Sequence, residues 1–203
     1  YATAFGYANT ASGPSSVALG SQNTASGNYS AAFGIANTAS GAASVAWGYQ
    51  ATTRGLQGAR AYSAGARSVA GDAQVIGQPV AATTTNTTAT TLTADRGAVA
   101  SYNVLVMPNN SSITGLLWIS ARDTSGNCAA WLYFCCVKRG ANAASTTVDF
   151  QTLVASNVTG ALSTATAVIA ADTTQGALVI SVTGVAATTI DWLADPSCLQ
   201  IVR

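Results

Sequence analysis

Four glycines, Gly6, Gly20, Gly34 and Gly48, stand 14 residues apart at the start of this chain, and each closes an Ala-x-Gly triplet. Gly13, Gly27 and Gly41 keep the same beat, each preceded by Asn-Thr-Ala-Ser. Self-similarity at a fixed period marks a stacked repeat architecture. A helical reading fails, because glycine recurs too often and no i, i+3, i+4 apolar stripe is present. At about 3.3 Å per residue, a unit this short holds only two brief strands and two turns. The expected form is a parallel β-roll in which each strand pairs with its equivalent one coil up, ~4.8 Å away.

Stacking in register turns equivalent positions into columns. Ala4, Ala18, Ala32 and Ala46 form a small column suited to the narrow interior of a two-sheet roll. Phe5, Leu19, Phe33 and Trp47 form a large column, beside Thr3, Val17, Ala31 and Val45. So thin a roll cannot bury both faces. The large column is expected to pack against neighbouring chains about a shared axis; the alternative makes it each monomer's own core.

After Gly48 the beat fails. Arg54-Gly55 replaces Ser-Gly, Arg60 and Tyr62 fall where Ala and Gly are due, and Ser68-Val69-Ala70-Gly71 is one residue short. Terminal repeats are atypical because they cap a stack. The expected division is a roll over residues 1–57, a cap and connector over 58–80, and a separate domain over 81–203.

Charge narrows the function. Only 7% of residues are charged, against about a quarter in ordinary soluble domains. Residues 1–53 carry no charge at all, as expected of surface hidden in a tight oligomer. The net charge of +1 argues against nucleic acid, which needs a basic stripe. With no histidine and no glutamate, acid–base chemistry is left to seven scattered aspartates, and a Ser/His/Asp nucleophile is impossible. No phosphate-binding or dinucleotide fingerprint occurs. The expectation is a non-enzymatic chain without cofactor or metal.

No run of about 18 apolar residues suggests membrane insertion, and no secretory signal pattern is present. The sequence opens inside a repeat without an initiator Met and reads as the C-terminal fragment of a longer fibrous protein. Cys135 and Cys136 are adjacent, so on a strand they face opposite ways and do not readily join. Cys128 and Cys198 match no zinc spacing; buried free thiols are expected.

From Val80 onward, runs rich in Thr, Val, Ile and aromatics alternate with turn signals at Pro108-Asn109-Asn110, Ser125-Gly126-Asn127 and Thr174-Gln175-Gly176. Candidate strands are Thr87–Thr93, Tyr102–Met107, Ile113–Arg122, Ala129–Lys138, Thr147–Val154, Ala165–Ala170, Ala177–Thr183 and Thr188–Leu193, with a last one near Leu199–Val202. Short strands at this spacing suggest an antiparallel sandwich or jelly roll, making the chain all-β. Cys128–Val137 is apolar on both faces, with Ala130, Leu132 and Phe134 against Trp131, Tyr133 and Val137. Such a strand is expected to be covered on its outer side by another subunit. Ala177–Thr183 reads instead as half-exposed.

The Ser-x-Ala-x-Gly strand followed by Ala-Ser-Gly resembles the head repeat of YadA-type trimeric adhesins, also found in shafts of bacteriophage tail fibres. The resemblance covers residues 1 to about 57. It implies a left-handed roll with three rolls packed side by side. Gly71-Asp72-Ala73-Gln74, Thr91-Leu92-Thr93-Ala94-Asp95, Lys138–Thr146, Ala171–Leu178 and Thr189-Ile190-Asp191-Trp192 resemble a C-terminal domain of phage tail fibres. Their order after the roll favours a homotrimeric tail fibre of the virion, joined to upstream fibre or baseplate proteins. Its role would be to bind a host surface glycan or outer-membrane receptor. The rival readings are a cellular trimeric adhesin, which calls for a stalk and membrane anchor after Arg203, and a purely structural trimerisation or assembly domain.

The resemblance supplies no binding residues. Exposed loops are the natural place for recognition. The candidates are Asp123, Ser125 and Asn127 in the first loop, and Ser156, Asn157 and Thr159 in the second. Lys138-Arg139 could meet anionic sugars, but reads better as a solvated strand end or an intersubunit pair with Asp149. Trp118, Trp131 and Trp192 could stack on sugar rings; core packing is the favoured role. The aspartates read as turn and cap residues rather than a carboxylate pair.

Overall fold

The computed structural model describes residues 1–203, and the chain is all-β with two short 3-10 turns. It divides into two compact units, residues 1–78 with 198–203, and residues 79–197.

The first unit is a solenoid. Its longer strands are β1 (Thr3–Tyr7), β3 (Val17–Ser21), β5 (Ala31–Ile35) and β7 (Val45–Tyr49). Between them lie β2 (Thr10–Ala11), β4 (Thr24–Ala25) and β6 (Thr38–Ala39). The longer strands form one parallel ladder, with Ala18 against Ala32 and Ala32 against Ala46. The short strands form another, with Ala11 against Ala25 and Ala25 against Ala39. Ala18, Ala32, Ala46, Ala25 and Ala39 all pack inside with no exposed surface, so the apolar filling between the two sheets is alanine. The large column points outward: Phe5 is 75% exposed, and Phe33 and Trp47 are 37% exposed.

The glycine column exists because the coils approach too closely for a side chain. A Cβ on Gly34, whose φ is +111°, would overlap the Gly48 carbonyl oxygen one coil up. The asparagines close each coil. Asn37 Nδ2 donates to Phe33 O and Gly48 O, both at 2.8 Å, and to Asn23 Oδ1 at 3.1 Å. Asn37 Oδ1 accepts from the Ala51 N–H at 2.8 Å. Asn9 and Asn23 repeat the pattern, so a ladder of amides runs through the roll. This satisfies carbonyls that the interior would otherwise leave unpaired.

The ladder does not stop at Gly48. Strand β8 (Arg60–Ala64) pairs in parallel with β7, placing Ala61 on Ala46 and Tyr62 on Trp47. Ala61 therefore continues the small column and Tyr62 the large one. The apparent decay is a one-residue insertion at the turn, where Arg54 (φ +51°) and Gly55 (φ +78°) lengthen the coil to 15 residues. Strand β9 (Ala73–Gly77) then reverses direction against β8 and ends the parallel stack.

The second unit holds two sheets. Its strands are β10 (Val80–Thr84), β11 (Ala89–Thr91), β12 (Leu105–Val106), β13 (Ser111–Asp123), β14 (Cys128–Arg139), β15 (Thr146–Val158), β16 (Thr166–Asp172), β17 (Ala177–Thr183) and β18 (Ile190–Val202), the last of which belongs to it through Ser197. One sheet runs β10–β18–β13–β14–β15, and the other joins β11, β12 and β16 to β17. Tyr133 Oη of β14 donates to Ala167 O of β16, linking the two. Inside, Trp192 and Trp131 stack with centroids 5.4 Å apart, and Leu117, Ile119, Ile180 and Ile190 are also buried.

Three expectations need correction. The strands foreseen at Thr188–Leu193 and Leu199–Val202 are one strand, β18, which runs through Pro196. Its pairing with β10 ends at Ala194, two residues before the proline. Strand β17 is central and buried on both faces over Ala177–Ile180, not half-exposed. Among the cysteines, Cys135 is buried, and burial pushes its thiol up to about 11; Cys128 is an exposed free thiol, not a buried one.

Candidate functional site

The outer face of β13, β14 and β15 carries the largest departure from ordinary burial in the second unit. Ile113, Leu117 and Ile119 turn inward, so the alternate residues Leu116, Trp118 and Ser120 face out. On β14, Trp131, Tyr133 and Val137 turn inward, and Ala130, Leu132 and Phe134 face out. The two faces divide as the sequence pattern requires, but within this chain the outer one is open. Trp118 is 61% exposed, which forgoes on the order of 2 kcal/mol of burial. The favoured core role thus holds for Trp131 and Trp192 and fails for Trp118.

The register builds a hollow beside that indole. Trp118 pairs with Leu132, and Leu132 with Ala155; one row along, Ser120 pairs with Ala130, and Ala130 with Asn157. A row of large residues next to a row of small ones leaves Ala130 as a floor and Trp118 as a wall. Depressions of about 270 and 180 Å³ lie on either side of Trp118 and share Ala130. A bulge in β15 sets the rim. Tyr133 pairs with Leu153 but Leu132 with Ala155, so Val154 is the extra residue, and Asn157 rather than Ser156 falls opposite Ala130. The side chains of Ser120, Ser156 and Asn157 are not used in bonds within the chain.

Of the sequence candidates, Ser156 and Asn157 lie on strand β15, not on a loop; Asn157, opposite Ala130, is on the face of the hollow, and Ser156, opposite Trp131, is on the other face. Thr159 follows the strand, exposed, as the residue before a 3-10 turn, with no side-chain capping bond. Asp123 is buried and spent inside its own turn. Its Oδ1 accepts from the N–H groups of Ser125 at 3.0 Å and Asn127 at 2.8 Å, and its Oδ2 from Asn127 Nδ2 at 2.7 Å. Ser125 is exposed at the turn, and Gly160 lies against Asn127, so the two candidate segments adjoin. The sequence pattern missed Trp118, Ser120 and Ala130 as members of one hollow; only cross-strand register brings them together.

The cations are engaged locally. Lys138 pairs with Asp149 within the chain, across the second β15 bulge, not between subunits. Arg139 donates to the carbonyls of Met107, Gln175 and Gly176. The aspartates mostly hold turns. Asp95 accepts from Gly97 N–H and Asn103 Nδ2, and Asp172 from the N–H groups of Thr174 and Gln175.

These turns carry a pH dependence. The Asn127 side chain, with backbone donors, holds the Asp123 carboxyl below its usual range. The Gly97 N–H does the same for Asp95. At Asp72 burial works upward, but the N–H groups of Val69, Arg67 and Ser68 outweigh it. A carboxyl whose folded pKa is depressed contributes stability above its unfolded value, about 3.9, and that stability is lost as pH falls through the folded value. The thermal midpoint is therefore expected to be flat from about pH 5 to 8 and to drop below about pH 4. Asp123→Asn should shrink the drop, measured by circular dichroism across that range; an undiminished drop would remove Asp123 from the account.

No family model and no curated protein matches the chain. Among solved structures it is similar to the tailspike protein of Acinetobacter phage vB_ApiP_P1, at 10% identity and a TM-score of 0.35. The likeness covers 90% of this chain, which spans 39% of that protein's length.

Proposed function

We propose that the chain is part of a homotrimeric phage tail fibre, in which the roll is a shaft and the second unit a non-enzymatic tip that attaches to the host surface. One observation carries the reading: the roll fills its interior with alanine and turns Phe5, Phe33, Trp47 and Tyr62 to solvent along one column. A monomer gains nothing from such a stripe. Identical chains side by side bury it, and the absence of charge over residues 1–53 removes the main obstacle to doing so. Three tips on one shaft supply avidity, so each site needs only weak affinity for a surface glycan or outer-membrane receptor. The sequence resemblance to tail-fibre shafts and tips supports the same assignment.

Light scattering on the 203-residue chain should give the mass of three chains, and the double variant Phe33→Ser/Trp47→Ser should give monomers with β-sheet content retained. The labelled trimer should adsorb saturably to a subset of a bacterial panel. A stable wild-type monomer overturns the fibre reading; a trimer that adsorbs to no cell and no extracted surface polysaccharide leaves only the structural role.

A further inference from the structure

We infer that the hollow at Trp118 is a binding subsite for a neutral hexopyranose unit of a glycan, an assignment that rests on the attachment reading above and names its ligand class. The apolar C–H face of a pyranose ring needs a flat, exposed aromatic surface, while its hydroxyls need neutral donors and acceptors at the rim. Trp118 supplies the first: among the tryptophans it alone is mostly exposed, at 61%. Asn157 supplies an amide that both donates and accepts, and Ser120 supplies a hydroxyl, both unspent within the chain. Ala130 keeps the floor low enough to admit a ring, and the β15 bulge brings Asn157 to its edge. Depressions of about 270 and 180 Å³ on the two sides of the indole suit successive units of a chain.

Charge selects against acidic sugars. No Lys or Arg lines any of the depressions around Ala130. Arg122 faces out on the same strand two residues beyond Ser120 and is the cation to control for. Lys138 and Arg139 are held by Asp149 and by backbone carbonyls. A sialylated, sulfated or phosphorylated unit would thus find no cation lining the hollow.

The full chain should be applied to an array of neutral hexose oligosaccharides beside sialylated, sulfated and phosphorylated ones. Binding to neutral members is expected. Trp118→Ala and, separately, Ala130→Phe, which fills the floor while keeping the indole, should each weaken it at least tenfold. Arg122→Gln should leave it unchanged. Retention of acidic glycans only, with loss in Arg122→Gln, overturns the assignment, as does binding that survives both hollow variants. If Trp118→Ala lowers the oligomeric mass, the indole is a subunit contact and the subsite is refuted. Cell adsorption separates the two readings: a protein that adsorbs to cells but retains no neutral glycan refutes this subsite alone. A protein that retains no glycan and adsorbs to no cell refutes both.

Discussion

Gly34→Ala will lower the stability of the roll by about 4 kcal/mol, whereas Gly55→Ala will cost only about 1 kcal/mol. Both residues have positive φ, +111° and +78°. The difference is space. A Cβ on Gly34 would overlap the Gly48 carbonyl, while one on Gly55 meets nothing within 4 Å. Relief at Gly34 requires the β5–β7 ladder to open, and the disturbance passes to both neighbouring coils because each contacts only the next. Denaturant midpoints, with hydrogen exchange at Val17–Ser21 and Ala31–Ile35, read the effect directly. Equal costs for the two variants would show that backbone conformation, and not coil-to-coil approach, sets the glycine beat.

Asn37→Asp should be of comparable size, although it changes one nitrogen to oxygen. The Asn37 amide nitrogen donates to two carbonyls and to Asn23 Oδ1 in a fully buried position. An oxygen there faces three oxygens and leaves buried acceptors unpaired, at about 1–3 kcal/mol each. The same change at Asn9, on the open end of the ladder, should cost far less, because water can take over its partners. The introduced carboxyl would be favoured in its neutral form, raising its folded pKa. The penalty is then smallest below about pH 4, where the carboxyl is protonated in both states, and grows as pH rises until the folded group ionises. Denaturant midpoints at pH 3.5 and 7 for both variants, each against the native chain at the same pH, supply the comparison. A penalty independent of pH, or equal at Asn9, would show that the amide ladder does not hold the roll.

The roll was legible because its structure is a sum of nearest-neighbour contacts at one period. In-register pairing copies each position onto the next, so Ala18, Ala32 and Ala46 share one fate and Phe33 and Trp47 another. The reading failed where the period changed. Arg54-Gly55 adds a residue to the turn, and a fixed count then aligned Tyr62 with Gly48, when the ladder sets it on Trp47. The left-handed bends at Ala8, Gln22, Ala36 and Gln50 were also illegible. Their residues have no local taste for positive φ; the ladders on either side impose it.

The second unit divides differently. Period-two alternation was enough to divide β14 into an Ala130, Leu132, Phe134 face and a Trp131, Tyr133, Val137 face, and to mark Ala177–Thr183 as a strand. It could not say which face meets the other sheet, since both are apolar along β14. That choice belongs to sheet packing, which buries Trp131 and Trp192 together and leaves Trp118 outside. Nor could it place Asn157 beside Ala130, because a single bulge at Val154 changes which β15 residue each rung receives. The sequence by itself determined the repeat, the alanine interior and the outward aromatic column, because those depend on one coil and its copy. Tertiary structure placed the hollow, because it is made by residues from four strands whose register is set by their pairing and not by their own order in the chain.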